Sequence, residues 1–350
     1  MEKIKKTAAG CVLHGVPQVR WGREVDGEVQ ETPFTQCLHT VLTYMGQKMS
    51  YTEIMAYSGA AFRMGWGGGD HWCPSSSDLQ SHYDTLVKPF ELTFRGIGRG
   101  YDICGIPEGP DKVKKEEAIE FVKSEIENGR PVIAFGVVGP CEAGIITGYQ
   151  SNGEVVLGWS VFQDWAAQEL DESGYYVQDN WWANTTGLIS IGEETGAPAS
   201  DKAVLENALM LMSANEVRGY GGEHTFYAGQ AAYEKWAKAL ECENFDAEGA
   251  SGDGGQCETM ELLLGERGYA AAYMNFMAER YPDLADECKE CARLLKATVD
   301  CIHPMRALQE EPSNWLENKE TRQQMATLVR KAAKYEKEAC VVLKGIIDKV

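Results

Sequence analysis

Between Thr35 and Tyr57 apolar side chains return every three or four residues, at Cys37, Val41, Leu42 and Met45 and again at Tyr51, Ile54 and Met55, with Gly46 between the two sets. That spacing predicts two short helices interrupted at the glycine. Ser50 followed three residues later by Glu53 is a capping-box signature for the second. The run from Gly65 through Trp66, Asp70, His71, Trp72 and Cys73 to Ser77 is dominated by glycine, proline and serine and reads as a loop. A further helix is expected from about Asp111 to Asn128, with Ile119, Val122 and Ile126 on one face and Gly129 in the terminating position.

The grammar then changes from helical spacing to short β-rich runs punctuated by glycine. Pro131 to Val137, Gly144 to Tyr149, Glu154 to Trp159, Tyr175 to Val177 and Leu188 to Ile191 follow at the spacing of consecutive antiparallel strands. Ser151-Asn-Gly-Glu is a hairpin turn, because Asn-Gly tolerates positive φ. Helices followed by a sheet is the α+β order.

Glu193 to Ser200 reads as a linker, and beyond Asp201 no strand signal returns. Helices are expected at Lys202 to Met212, Thr225 to Glu241, Glu258 to Arg280, Pro282 to Ile302 and Asn314 to Lys349, with a flexible connection from Asp246 to Gln256. At 350 residues the chain is long enough for two cores. The expected division is an α+β domain over 1–197 and an all-helical domain over 198–350.

Composition narrows the partners. A net charge of −20 opposes attraction to nucleic-acid phosphates or anionic lipid, so neither nucleic acid nor membrane is an expected partner. The basic Met1 to Thr7 precedes too short an apolar run for a secretory signal, and a cytoplasmic location is expected. The eleven cysteines then read as reduced thiols, mostly core.

Cys37 stands near the start of its helix, where a helix dipole favours a thiolate, with a strand hairpin about a hundred residues later. Thr35-Gln-Cys-Leu-His-Thr-Val-Leu-Thr-Tyr-Met-Gly, Gly129-Arg-Pro-Val-Ile-Ala-Phe and Gly144-Ile-Ile-Thr-Gly-Tyr-Gln resemble the papain-like N-terminal domain of butirosin-biosynthesis protein H and its relatives. Those relatives are themselves similar to bacteriocin-processing cysteine peptidases, and the helical second part resembles the domain that often follows. Ser58-Gly-Ala-Ala-Phe-Arg, Gly139-Pro-Cys-Glu and Gly158-Trp-Ser-Val-Phe-Gln look like one bacterial branch of the group. The resemblance implies a papain-like (cysteine-proteinase) fold with Cys37 as nucleophile.

It also exposes departures. The family's general-base histidine falls at Glu142, six residues before Gly148. A carboxylate with an ordinary pKa of about 4.3 is a poor base for a thiol at neutral pH. The orienting Asp or Asn falls near Trp159 and Ser160, and the oxyanion glutamine falls at Glu31, with Gln30 one residue away. A negative group there opposes a developing oxyanion.

Cys37 is therefore either an active nucleophile or a core relic, and His39, two residues on, is a core or surface histidine on another side of the helix. Arg63 is a candidate partner for Glu142, as a structural ion pair or as the polar floor of a ligand pocket walled by Trp66, Trp72, Tyr149 and Trp159.

Three functions follow. The first is a catalytically degenerate protein binding a small molecule or peptide in the former active-site cleft. The second is a cysteine-dependent acyltransferase or amide hydrolase using Cys37, and the third is an interaction module whose helical outer face takes a partner or forms a homo-oligomer by self-association. No cofactor is expected. Asp70, His71 and Cys73 stand close together and the distant Cys141 could complete a metal set, but nothing fixes a fourth ligand. Cys288 and Cys291, with Cys301 and His303 beyond, alternate with Ala292 and Leu295 as core residues do. Gly96 to Gly100 reads as a loop, and Arg218 to His224 as a glycine turn that is either structural or able to face an anion.

Overall fold

The computed structural model describes residues 3–68, 87–98, 113–139, 142–164, 169–195, 200–215, 217–220, 224–242, 253–310, 315 and 317–350. In chain order the elements are β1 (Ile4–Thr7), β2 (Gly10–Leu13), β3 (Arg23–Val25), β4 (Glu28–Gln30), α1 (Pro33–Tyr44), α2 (Tyr51–Tyr57), β5 (Gly65–Gly68), β6 (Leu92–Gly98) and α3 (Lys115–Glu127). There follow β7 (Val132–Phe135), β8 (Ala143–Gln150), β9 (Val155–Ser160), β10 (Tyr176–Gln178), β11 (Gly187–Glu194), α4 (Asp201–Ser213), β12 (Val217–Tyr220) and β13 (His224–Ala228). Helices α5 (Gly229–Glu241), α6 (Asp253–Arg280), α7 (Ala285–Ile302), α8 (Pro304–Glu310) and α9 (Lys319–Ile347) complete the chain. The protein is mixed α/β, with a curled antiparallel sheet and a helical C-terminal region.

Two compact units divide the chain: Met1–Ile54 with Phe90–Pro198, and Met55–Pro89 with Ala199–Val350. The first holds the main sheet, ordered β1-β2-β8-β7-β11-β6, with β9 also paired to β8 and β10 to β9. Strand β8 is its hub: Val132 to Phe135 of β7 pair with its first half, Cys11 and Val12 of β2 with Tyr149 and Gly148, and β9 along its length. All four β7 residues are buried, as suits a strand covered on both faces. Helix α1 packs against β7 and β8, and α3 against β2, β7 and β8.

Local signals behave as their chemistry requires. Ser50 and Glu53 exchange the two capping hydrogen bonds, 2.9 Å from the Ser50 N–H to the Glu53 carboxylate and 3.2 Å from the Glu53 N–H to the Ser50 hydroxyl. Gly129, at φ +78°, ends α3 by donating to the Ile126 carbonyl at 3.0 Å. Arg130 donates to the Glu125 carbonyl at 2.9 Å, completing a Schellman motif. Ser151 and Asn152 take positive φ in the β8–β9 turn.

The second unit contains α4 to α9 and a three-stranded antiparallel sheet ordered β12-β13-β5. Helix α9 packs against α4, α5 and α7, and α6 against α7. On α5, Ala232, Tyr233, Trp236, Ala237 and Leu240 recur at helical spacing and enter a core shared with Met260, Leu263, Ile302, Met325 and Val329.

Four expectations are corrected. Gly65–Gly68, read as loop, is a strand whose backbone pairs with Thr225 to Ala228, since ladder hydrogen bonds need no side chain. The C-terminal part is consequently not all-helical: β12 and β13 precede α5, which starts at Gly229 rather than Thr225. Gly96 to Gly98, also read as loop, end β6 opposite Ile189 to Gly187 of β11. Met55–Pro89 group with the C-terminal unit, so the division is not one cut at residue 197. The expected flexible stretch overlaps the start of α6 at Asp253, and its residues 246–252 lie outside the described residues.

Candidate functional site

Helix α1 begins with Pro33, whose fixed φ suits a first helical position, after Thr32 in an extended conformation. Cys37 is the fifth residue of the helix, beyond the first turn in which the dipole acts strongly. Its side chain is fully buried. Burial pushes the thiol well above its ordinary pKa, and the Glu142 carboxylate pushes it the same way. Glu142 stands one residue before β8, and its carbonyl accepts the Gly136 N–H at 3.1 Å across the β7–β8 turn. Packing α1 on β7 and β8 is what brings the two residues within electrostatic reach.

Tyr176 of β10 joins them. Its hydroxyl donates to the Ile145 carbonyl at 3.3 Å, and it is raised by burial and by proximity to Cys37. Sequence reasoning missed Tyr176. The available signal was its place in a β run close to the Gly158-Trp-Ser segment, with which it pairs at Gly158. The cluster therefore offers a neutral thiol, a carboxylate and a phenol. Nucleophilic attack needs a thiolate, and both influences on Cys37 act against one.

The neighbouring polar residues bond mostly among themselves, although Gln30 Oε1 has no partner among the described residues. Gln30 is buried, and its Nε2 donates to His39 Nδ1 at 2.7 Å. Gln36 Nε2 donates to the carbonyls of Gln30 at 3.0 Å and Arg20 at 2.9 Å, locking this corner. Burial lowers the His39 pKa, with Arg23 adding to the effect. Glu31 is exposed.

The expected aromatic wall is spread over both units. In the first, Tyr149 donates to Glu127 at 2.5 Å. Trp159 donates from Nε1 to the Val16 carbonyl at 3.0 Å and meets Tyr175 edge-on at 4.9 Å. Trp66 and Arg63 belong to the second unit. Trp66 stacks on Trp236, with centroids 5.6 Å apart, and Arg63 gives Nε and Nη2 to Glu266 Oε1 at 2.9 and 2.6 Å. Within that unit the carboxylate partner of Arg63 is thus Glu266, where Glu142 was the expectation. Asp70, His71, Trp72, Cys73 and Cys141, and residues 221–223 of the glycine turn, lie outside the described residues. Cys288, Cys291 and Cys301 are buried along α7, as their spacing predicts.

A second buried polar cluster was not foreseen. Glu125 of α3 is fully buried, accepts from Ser190 Oγ and Arg130 Nε, each at 2.6 Å, and is ion-paired with Arg95. A glutamate one residue before Ile126 and three after Val122, inside the apolar stripe, was the readable sign. No helix among the described residues is long and apolar enough to cross a membrane. No family model matches this chain, and no curated protein matches it.

Proposed function

We propose that the chain is a catalytically degenerate papain-like protein that binds a small molecule or peptide in the former active-site cleft beside Cys37 and Glu142. One observation carries this reading: a fully buried thiol that burial and the Glu142 carboxylate both push toward its protonated form. A cysteine enzyme needs the opposite, a cation or base that stabilises the thiolate. The half-buried Glu142 carboxylate beside this sealed thiol suits recognition by hydrogen bonding better than turnover.

The test is the pH dependence of iodoacetamide labelling at Cys37, read by peptide mass spectrometry with the other cysteines as internal controls. Slow labelling across pH 6–9 (a range chosen to bracket the ordinary thiol value of about 8.5) agrees with the proposal. Fast labelling below pH 7 at Cys37 alone would overturn it and favour a cysteine-dependent acyltransferase or amide hydrolase.

A further inference from the structure

We propose that the second unit holds one internal water molecule, bound between Thr259 of α6 and the buried Arg63–Glu266 ion pair. A cavity of about 10 Å³, the smallest space that admits a water, is bounded there by Arg63, Gly65, Thr259, Leu263 and Glu266. Thr259 is 4 % exposed, and its Oγ1 has no hydrogen-bond partner among the described residues. Two other helical threonines discharge their hydroxyl on the carbonyl four residues back, Thr298 to Leu294 at 3.3 Å and Thr327 to Gln323 at 2.8 Å. Thr259 makes no such bond and lines the cavity.

The lining chemistry selects water. Arg63 and Glu266 are 4 % and 3 % exposed, and the cavity wall offers the Glu266 carboxylate as acceptor and the Thr259 hydroxyl, which both donates and accepts. That supplies the two to four polar partners a buried water requires. The guanidinium repels a cation and the carboxylate repels an anion, which leaves a neutral hydrogen-bonding molecule such as water as the fitting occupant. Burial pushes the Glu266 carboxyl upward against the opposing pull of Arg63, and a water donating to that carboxylate replaces part of its lost solvation.

A crystal structure of the full chain, at a resolution where ordered waters are visible, tests the proposal directly. A peak about 2.7–3.2 Å from Thr259 Oγ1 and from a Glu266 oxygen supports it. An empty cavity overturns it. Thr259→Val gives an independent sign test by thermal unfolding. With water present the substitution strips one of its partners and lowers the Tm by about 2 °C or more. Without water it removes an unsatisfied hydroxyl, and the Tm stays or rises, which contradicts the proposal. Thr259→Ser keeps the hydroxyl and is expected to keep the water peak.

Discussion

Arg267 lies against Glu336 with neither side chain exposed to solvent, its Nε 3.0 Å from each carboxylate oxygen. The same guanidinium donates through Nη1 to the carbonyls of Ala61 at 2.7 Å and Arg63 at 2.8 Å, and Tyr233 donates to Glu336 at 3.1 Å. Helices α6 and α9 are thereby tied to each other and to the 60–63 segment. A buried pair of this kind is costly to break from one side, because the survivor is left charged in the core. Glu336→Gln is expected to destabilise the protein by about 3–5 kcal/mol in urea unfolding, and the double variant Arg267→Met/Glu336→Leu to recover much of that loss. A Glu336→Gln loss under about 1 kcal/mol would show that the pair contributes nothing specific.

His39 predicts a pH dependence with a defined sign. Its folded-state pKa lies below the ordinary imidazole value, so the folded protein binds its proton less readily than the unfolded chain. The stabilising contribution is present above the unfolded value of about 6.5 and is lost as pH falls through the lower folded value. Denaturation series from pH 7.5 downward are expected to show a slope that His39→Phe reduces. An unchanged slope in that variant would locate the proton uptake elsewhere.

Glu142→Gln removes one of the two influences that raise the Cys37 thiol. The thiol pKa is expected to fall, with labelling faster at a given pH, yet to stay above that of a free cysteine because burial is the larger cause. Parallel labelling of wild type and variant measures the shift. A slower variant would mean that the carboxylate assists the thiolate.

Gly158 of β9 leaves no room for a side chain against β8. A Cβ at this position would collide with the Ile145 carbonyl and crowd the Tyr176 hydroxyl, which bonds to that same oxygen. Gly158→Ala is expected to cost about 1–3 kcal/mol by overpacking, measured as a lower urea midpoint with unchanged m-value. Wild-type stability in this variant would mean that the strands separate more easily than their pairing suggests.

Parts of the candidate site were legible before any coordinates. The Cys37 helix announces itself by apolar spacing, and the β7–β8 hairpin by a capped helix, a glycine stop and two β-rich runs. These are local properties, set by side chains within a few residues of each other. Glu142 was singled out by its position before the Thr147-Gly-Tyr run, and the structure brings it within electrostatic reach of Cys37.

Burial was not legible. Nothing near Cys37 in sequence states that its thiol is sealed from solvent, since that depends on how α1 settles on β7 and β8. Arg63 and Trp66 looked like walls of the same pocket because they follow the Cys37 helix in the chain. Their partners Glu266 and Trp236 lie 203 residues and 170 residues downstream in sequence.

The chain's own residue order thus determines the helices, the glycine turns, the succession of β-rich runs and the acidic character of the protein, all of which follow from short-range backbone and charge preferences. Only tertiary structure decides that glycine-rich Gly65–Gly68 becomes a strand, that Met55–Pro89 joins the C-terminal unit, and that the buried Cys37 thiol lies within electrostatic reach of the half-buried Glu142. The reason is physical: strand pairing, ion pairing and desolvation depend on which distant groups arrive beside a residue, and a linear spacing rule contains no information about that arrival.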